Sequence, residues 1–466
     1  QNSMKNTITQ HLKNKSFYLI GIGGAGMMGI AELLHNLGFI VHGSDIADSS
    51  SITRLRKLKI KIYIGHDSSK IKPNDIIIYS NAIKANNVEI KYARKKGMTI
   101  LTRMEILSEL MRLKYGISIT GSHGKTTTTS LLSHILHDNN LDPTYLIGGM
   151  LKTDDPHVKL GNSNYLITET DESDPNFTIL KPHLVVLTNL DAEHLENYQN
   201  SFFNLKNSIQ KFINSIPFYG QAFVNGDCSN SKKICKKINR NIFTFGLKDN
   251  NDLYAKNIVF YDKKMKFDMI YNNQVYHLTS NLIGNHNVYN ILAAISVCLH
   301  LDLKITKIVK SISTFFGVSR RLDIHRNIRI NKKSIITIDD YGHHPTEIKS
   351  TIDTIRKIYP KKNIIMIFQP HRFSRTKNSW PNLTKVLKSI NKIILLPTYS
   401  AGEKKSVYDS KFLYKKLATK NKLYVKTLDQ VLDVLRPIID NKSILLLQGA
   451  GDIKNILNML RDNDSK

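Results

Sequence analysis

The sequence predicts an α/β protein of three consecutive domains, each built on a mainly parallel sheet. Short apolar runs alternate with helical patterns along most of the chain, and nearly every run ends in a cluster of polar residues. Two glycine-rich turns each stand between a predicted strand and a predicted helix. A length of 466 residues also requires more than one core, since a domain usually holds ~100–200 residues. We place the domains at residues 1–113, 114–318 and 319–466.

Composition favours a globular protein outside the membrane. Hydrophobic residues make up 41% of the chain and the mean hydropathy is -0.26. Apolar runs stay well below the ~18 residues that a transmembrane helix needs. Residues 1–16 lack the apolar segment of a signal peptide. The 3 cysteines show no metal or redox spacing, which suits a reducing compartment. We therefore expect a cytoplasmic protein without membrane insertion.

The net charge of +29 suggests nucleic-acid binding, but its distribution argues against that function. Lysine is spread over the whole chain together with abundant asparagine and isoleucine, as codon bias in an AT-rich genome would produce. The sequence contains no basic stripe with interleaved aromatic residues. We therefore expect no specific nucleic-acid partner, and a nucleic-acid binder remains an alternative that rests on charge alone.

The first glycine-rich turn predicts a Rossmann-like N-terminal domain. An apolar strand at residues 17–20 leads into Gly21-Ile-Gly-Gly-Ala-Gly26, and a helical pattern runs on to Gly38. A second strand at residues 39–42 is followed by Asp45, near the position expected of a ribose-binding acid. Alone, this motif indicates a dinucleotide or another phosphorylated ligand. Polar residues after a later strand, Ser80 and Asn81, lie at the same predicted edge.

The second glycine-rich turn predicts a phosphate-binding loop in an ATPase-type central domain. A buried strand at residues 117–119 precedes Gly121-Ser-His-Gly-Lys-Thr126, and an amphipathic helix follows. Backbone N–H groups and the helix N-terminus would bind phosphate oxygens. Lys125 would reach the terminal phosphates and the Thr126 hydroxyl would face Mg²⁺. Two residues separate the glycines, where the general pattern has four, but strand, glycines, lysine and threonine fall in order.

Two further strands of the central domain deliver polar residues to the same predicted edge. Glu169 follows the strand at 165–168 and is a natural ligand for Mg²⁺. His194 follows the strand at 184–187, and alone it reads as a structural hydrogen-bonding residue rather than a ligand. Asn287 and Asn290 lie three residues apart near a helix start, as caps or as ligand contacts.

Residues 253–278 of the central domain differ in pattern. Short alternating stretches are broken by turns rich in lysine, aspartate and asparagine. This pattern predicts a small antiparallel β meander, to which we assign no chemistry.

The last third predicts a second Rossmann-like domain with a functional edge of its own. Four apolar strands, at residues 334–338, 364–368, 393–396 and 444–447, each end in a polar cluster. The arginines and histidines of these clusters exceed what surface solvation requires. Arginine at such an edge suggests recognition of carboxylate or phosphate groups.

Taken together, these motifs resemble the Mur ligase family. The matching segments run from about residue 17 to residue 452, which covers nearly all of the chain. They are 21–27, 121–127, 169–174, 188–194, 284–290, 320–321, 339–347 and 369–375. Each segment is weak alone, whereas all of them in order are specific. The closest pattern is that of the Mur ligases that add L-alanine to UDP-N-acetylmuramate in peptidoglycan precursor synthesis.

The resemblance implies roles for individual residues, and it changes our interpretation of His194 from structural to functional. It implies that the first loop holds the UDP end of the substrate rather than a dinucleotide. The implied catalytic residues are Lys125, Glu169, His194, Asn287, Asn290, Arg321 and Asp340. The implied ATP-binding residues are Gly121, Ser122, His123, Gly124, Lys125, Thr126 and Thr127. The implied UDP-substrate-binding residues are Gly21, Gly23, Gly24, Ala25, Gly26, Asp45, Ser80 and Asn81. The implied amino-acid side consists of His344, His371, Arg372 and Arg375. The implied Mg²⁺ ligands are Thr126, Glu169 and His194.

The resemblance also implies the reaction and the partners. ATP would convert the muramate carboxylate to an acyl phosphate, which the amine of L-alanine attacks. The partners would be UDP-N-acetylmuramate and L-alanine, with ATP and Mg²⁺, in a monomer or homodimer. The sequence departs from the family pattern at Ser122 and Asn81, which we expect to leave ATP and UDP binding intact.

Two rival enzymes share part of this evidence. A murein peptide ligase, which joins a recycled tripeptide to the same UDP-sugar, shares the N-terminal and phosphate-loop motifs. The segment 369–375 favours the alanine enzyme. A nicotinamide dehydrogenase would rest on the first loop alone and would leave Lys125 and Glu169 unexplained.

Overall fold

The structure, a computed structural model, describes residues 15–464 except 81, 113, 147–157, 160, 194, 262–263, 319 and 332. Two residues named above, Asn81 and His194, therefore lie outside the described residues. The chain forms two compact units. One comprises the residues up to 256, 269–276 and 289–315, and the other comprises 257–268, 277–288 and 316–466.

The first sheet of the larger unit is five-stranded and parallel, in the order β3-β2-β1-β4-β5. Its strands are β1 Ser16–Ile20, β2 Ile40–Asp45, β3 Lys61–Ile64, β4 Asp75–Tyr79 and β5 Ile100–Thr102. The helices between and after them are Ala25–Asn36, Ser50–Lys57, Val88–Lys95 and Arg103–Arg112, with a short 3₁₀ turn at Ser68–Lys70. Chain order reverses between β1 and β4, which is where ligands bind in open parallel sheets. The first glycine loop leaves β1 at this point.

The second sheet has ten strands, in the order β15-β14-β13-β12-β11-β10-β6-β9-β7-β8. The strands are β6 Tyr115–Thr120, β7 Thr144–Leu146, β8 Val158–Lys159, β9 Tyr165–Glu169, β10 Leu184–Leu187, β11 Gln221–Asn225, β12 Asn241–Gly246, β13 Leu253–Tyr261, β14 Lys264–Tyr271 and β15 Gln274–Ser280. The last three confirm the short strands that the alternating pattern predicted. Parallel partners flank β6 on both sides, β10 and β9. The polar residues that follow these three strands therefore share one edge.

Helices accompany this sheet along the chain. They are Lys125–Asp138, Phe202–Asn214, Ser229–Cys235, Asn285–His300 and Ile305–Thr314, with 3₁₀ turns at Pro175–Ile179 and Leu195–Tyr198. A core of large apolar side chains, including Phe177 and Phe212, lies against the strands β10 and β11. Since β10 is buried along its whole length, it reads in the sequence as a continuous apolar run rather than as an alternation.

The second unit contains a six-stranded sheet in the order β16-β17-β21-β18-β19-β20. Its strands are β16 Asp323–Ile330, β17 Lys333–Asp340, β18 Asn363–Phe368, β19 Lys392–Leu395, β20 Lys422–Tyr424 and β21 Ser443–Gln448. Only β16 runs antiparallel to its neighbour; the other pairs are parallel. The helices are Pro345–Ile358, Phe373–Leu387, Ser410–Lys416, Gln430–Leu435 and Lys454–Asp464. Apolar clusters cover both faces of the sheet, as a mainly parallel sheet requires.

In the part of the chain that the structure describes, no helix has the length and apolar character required to cross a membrane.

Candidate active site

The second glycine-rich turn forms a tight loop between β6 and the helix Lys125–Asp138. Gly121 and Gly124 have φ values of 125° and 84°, in the left-handed region that disfavours a side chain. A Cβ at Gly124 would overlap Oδ1 of Asn290, and a Cβ at Gly121 would overlap Oγ1 of Thr188. Both glycines are therefore required by conformation and by space.

Alanine substitutions at Gly38 and Gly124 can separate the conformational requirement for glycine from the steric one. We expect Gly38→Ala to lose about 1–2 kcal/mol of unfolding free energy, the usual cost of a left-handed residue. Gly38 has a φ of 90° but has open space around its missing Cβ. Gly124→Ala should lose more, because its Cβ also overlaps Asn290, and should weaken nucleotide binding. Chemical denaturation and nucleotide titration of both variants test this, and equal losses would contradict the role of close packing.

The segment after β10 holds the loop in shape through backbone hydrogen bonds. The His123 N–H donates to Oδ1 of Asn189 at 2.8 Å. The His123 carbonyl accepts from Oγ1 of Thr188 at 2.6 Å and from Nδ2 of Asn189 at 3.0 Å. The N–H of Asp191 donates to Oγ of Ser122 at 2.9 Å. Residues 188–191 thus fix the shape of the glycine-rich loop through its own hydrogen bonds.

Lys125 lies inside a cluster of carboxylates. Its Nζ donates to Oε2 of Glu172 at 2.8 Å and to the Gly121 carbonyl at 2.5 Å. Burial lowers the pKa of Lys125, but the charges of Glu172, Asp171 and Glu169 outweigh it and raise the pKa overall. Lys125 therefore stays protonated. Burial raises the pKa of Glu172 to about 7, against the lowering effect of Lys125. Sequence reasoning did not assign a role to Glu172.

Thr126 and Glu169 meet at the carboxyl ends of β6 and β9. Oγ1 of Thr126 donates to Oε1 of Glu169 at 2.9 Å and to Oε2 at 3.1 Å. A hydroxyl and a carboxylate are the oxygen donors that a hard divalent cation prefers. These two residues fit the Mg²⁺ ligands that the family resemblance implies.

The structure gives different surroundings to the two asparagines of the helix Asn285–His300. Asn290 lies beside the phosphate loop, where its Oδ1 adjoins Gly124 and accepts from Oγ1 of Thr128 at 3.4 Å. The Nδ2 of Asn287 donates to the Ile283 carbonyl at 2.8 Å, just before the helix. Asn290 is therefore placed at the loop, while the amide nitrogen of Asn287 binds backbone.

The first glycine loop makes a hydrogen bond to Asp45, the acidic residue that follows the second strand. The Gly23 N–H donates to Oδ2 of Asp45 at 2.8 Å, so this carboxylate is fixed at the loop. The guanidinium of Arg103 packs on Gly26 so closely that a Cβ there would overlap it. Ser80 lies across from Gly21 at the carboxyl end of β4. Sequence reasoning missed Arg103, which follows a strand of only three residues.

In the second unit, Asp340 is a buried hydrogen-bond acceptor at the end of β17. Its carboxylate accepts from the Leu322 N–H at 2.9 Å, the Gly342 N–H at 3.0 Å and Nε2 of Gln448 at 2.6 Å. Nη1 of Arg321 lies 3.5 Å from Oε1 of Glu347. The structure therefore shows Asp340 as a residue that shapes the loop between β17 and the helix Pro345–Ile358.

The residues predicted to bind the amino acid lie in a cluster of arginine, histidine and tyrosine side chains. Nη1 of Arg375 lies 3.2 Å from Nδ1 of His371 and also bonds to Nε2 of His343. The ring of His371 stacks on Tyr399, with centroids 5.6 Å apart. Nδ1 of His344 instead accepts from the Thr346 N–H at 3.4 Å, as part of a helix cap. The structure thus adds His343 and Tyr399, which sequence reasoning had not assigned.

The surroundings of His371 predict a pH effect on stability. Burial, with the charges of Arg375 and Arg372, lowers the pKa of His371 from 6.5 to about 4. As pH falls below 6.5, the unfolded chain takes up this proton before the folded chain does, so stability should fall between pH 6.5 and about 4. His371→Gln should reduce this loss, which melting curves over that pH range would measure. An equal pH dependence in both proteins would contradict a neutral His371.

Comparison with known proteins identifies the family. Three family models match the chain: "Mur ligase family, catalytic domain" at residues 16–115, "Mur ligase middle domain" at 119–298 and "Mur ligase, glutamate ligase domain" at 320–451. The chain is 42% identical over 454 residues to the UDP-N-acetylmuramate–L-alanine ligase of Vesicomyosocius okutanii, covering 96% of this chain and 97% of that protein. It is 42% identical over 464 residues to the ligase of the same name from Wigglesworthia glossinidia brevipalpis, covering 96% and 97%.

Solved structures agree in fold. The UDP-N-acetylmuramate-alanine ligase of Thermotoga maritima matches with a TM-score of 0.80 at 26% identity, covering 97% of this chain and 100% of that one. A murein peptide ligase of Psychrobacter arcticus matches with a TM-score of 0.69 at 22% identity, covering 96% and 98%, which shows a shared fold. The resemblance found in the motifs is confirmed: this chain belongs to the Mur ligase family of ATP-dependent ligases.

Proposed function

We propose that this chain joins L-alanine to the carboxylate of UDP-N-acetylmuramate, with ATP cleaved to ADP and phosphate. The observation that carries the proposal is the preformed phosphate loop, on which Lys125 is charged and the Thr126 hydroxyl meets Glu169. The curated relatives at 42% identity over nearly the whole chain bear the name of this activity.

The reaction forms an amide from a carboxylate and an amine, and the carboxylate must first be activated because it is a poor acyl donor. The muramate carboxylate attacks the terminal phosphoryl group of ATP, which gives an acyl phosphate and ADP. The amine of L-alanine attacks the acyl carbon, and the tetrahedral intermediate collapses to the amide and phosphate. Lys125 and the N-terminus of its helix stabilise the negative charge of the phosphates during the first step.

Mg²⁺ would be held by Thr126 and Glu169, with His194 as a further proposed ligand. When bound, the ion offsets charge on the phosphate oxygens. The Thr126 hydroxyl donates a hydrogen bond to Glu169, which leaves the hydroxyl lone pairs available to a cation. The oxygen-donor chemistry of this pair supports the assignment.

The other substrates are assigned to the remaining domains. We assign the UDP end of the sugar nucleotide to residues 1–113, where Gly23 and Asp45 build the loop at the switch point of the first sheet. We assign ATP to residues 114–318 and the amino acid to 319–466. Arg375 and Arg372 would bind the carboxylate of L-alanine, since arginine matches carboxylate geometry. Neutral His371 can accept a hydrogen bond from Arg375 while it adjoins this site.

Phosphate release from ATP tests this proposal directly. We would supply ATP, Mg²⁺ and UDP-N-acetylmuramate, and compare L-alanine, the tripeptide that a murein peptide ligase uses, and no acceptor. Release that requires L-alanine is expected. Release with the tripeptide alone would move the assignment to the murein peptide ligase, and a folded protein that releases nothing with either acceptor would refute both.

A further inference from the structure

We propose that Glu403 is a positioning residue for the amino-acid side of the site. It holds the turn formed by residues 371–375, which carries His371, Arg372 and Arg375. The inference deepens the proposed function and rests on it for the identity of the bound amino acid. Glu403 lies in the loop formed by residues 399–403, which follows β19 and has no assigned role.

The carboxylate of Glu403 binds the first turn of the helix Phe373–Leu387. Oγ of Ser374 donates to Oε1 of Glu403 at 2.5 Å, and the Ser374 N–H donates to Oε2 at 3.1 Å. Burial would raise the pKa of Glu403, but the hydrogen bonds from Ser374 and the charge of Arg372 lower it below its usual value. Both oxygens of an ionised carboxylate are thus used to fix where this helix begins.

Tyr399 binds the same turn from its other end. The Arg372 N–H donates to the Tyr399 carbonyl at 2.8 Å, and the Tyr399 N–H donates to the Pro370 carbonyl at 2.9 Å. The rings of Tyr399 and His371 are nearly parallel, at 16°. The loop 399–403 therefore contacts the turn on both sides of Arg372.

Arg372 itself is held in an unfavourable conformation. Its φ of 66° and ψ of 141° lie outside the regions that a residue with a side chain adopts easily. Such strain persists only where surrounding contacts impose it, and it concentrates at functional sites. Here the contacts that impose it are those of Tyr399 and Glu403.

The strained residue also presents an unsatisfied donor. Among the described residues, Nε of Arg372 is buried without a hydrogen-bond partner. A buried N–H of a cation is costly unless an acceptor binds it. A substrate carboxylate oxygen would supply that acceptor, and guanidinium groups bind carboxylates in a directed way. If the turn relaxed, this donor would lose its fixed direction.

Glu403→Ala tests the proposal. We expect the KM for L-alanine to rise about tenfold or more, since hydrogen bonds to charged groups are worth that much, while the KM for ATP stays within about twofold. Glu403→Gln, which keeps one acceptor oxygen, should fall between Glu403→Ala and the parent. Ser374→Ala should add little to Glu403→Ala, because both break the same contact. Arg375→Ala serves as the positive control.

Asp409→Ala is the matched control. Asp409 also caps a helix of this domain, since its Oδ1 accepts from the Phe412 N–H at 2.9 Å. The Asp409→Ala variant should have a lower melting temperature than the parent and the same KM for L-alanine. Equal changes of KM in Asp409→Ala and Glu403→Ala would reduce Glu403 to an ordinary cap and overturn the proposal.

A second readout separates this inference from the proposed function. The ring NMR signals of His371, assigned with His371→Gln, should move in Glu403→Ala and stay in place in Asp409→Ala. If the parent shows no turnover with L-alanine, the proposed function fails, yet the shift still decides the positioning role. Unmoved His371 signals in Glu403→Ala would refute that role in an active or an inactive parent.

Discussion

Lys125→Met is expected to lower kcat by on the order of 10²–10³-fold, the usual cost of removing one preorganised charge-stabilising donor. The change removes the largely buried ammonium that we propose faces the ATP phosphates, whereas methionine keeps the length of the apolar stem. Binding of UDP-N-acetylmuramate should be largely unchanged, because the first glycine loop lies on another sheet. Steady-state kinetics and sugar-nucleotide titration measure the two effects separately, and equal loss of both would refute the assignment of the loop to ATP.

Loss of stability could imitate this result, so the structure suggests a compensating variant. Removal of Lys125 leaves Glu172, which is 1% exposed in its side chain, without its 2.8 Å partner. Breaking one partner of a buried pair costs about 3–5 kcal/mol. The double variant Lys125→Met with Glu172→Gln should recover most of the stability and none of the activity. Lys349→Ala, at an exposed lysine on a helix of the other unit, should change neither the stability nor the activity.

Glu169→Gln is expected to have the second largest effect, on the response to Mg²⁺. The amide keeps the size of the side chain but loses the charge and one of the two acceptors of Thr126. Partners that only orient metal ligands already contribute about 10–100-fold to metal affinity. If Glu169 binds the ion directly, as we propose, its loss should raise the Mg²⁺ requirement about 100-fold or more.

Activity as a function of Mg²⁺ concentration measures this change. Glu109→Gln is the control, because its carboxylate is 55% exposed and pairs with Arg112 at the surface. A Mg²⁺ dependence of Glu169→Gln that matches the control would remove Glu169 from the proposed metal site.

The sequence predicted much of the fold because buried parallel strands are continuous apolar runs. The run at residues 117–119 lies within β6, and the run at 184–187 coincides with β10. Several strands were not predicted, and β5 and β20 are the clearest cases. Each has three residues, none of them fully buried, so neither forms an apolar run long enough to recognise.

The site was less predictable where strand alternation ends. Glu169 is the last residue of β9, and beyond it the direction of a side chain no longer follows from spacing. Glu172 therefore could not be selected from the neighbouring acids as the partner of Lys125. The adjacent His343 and His344 pose the same problem. Pro345 begins a helix, which makes His344 its cap and leaves His343 to contact Arg375.

The order of strands in the C-terminal sheet has a consequence for biosynthesis. Among the six strands of this sheet, β21 comes last in the chain; it lies between β17 and β18, and all six of its residues are buried. A nascent chain that has emerged as far as β20 would hold two unpaired parallel edges and an open apolar centre. The first sheet, in contrast, has all five strands by Thr102. The first sheet can therefore form early during translation, whereas the C-terminal sheet should stay prone to aggregation until β21 has been synthesised.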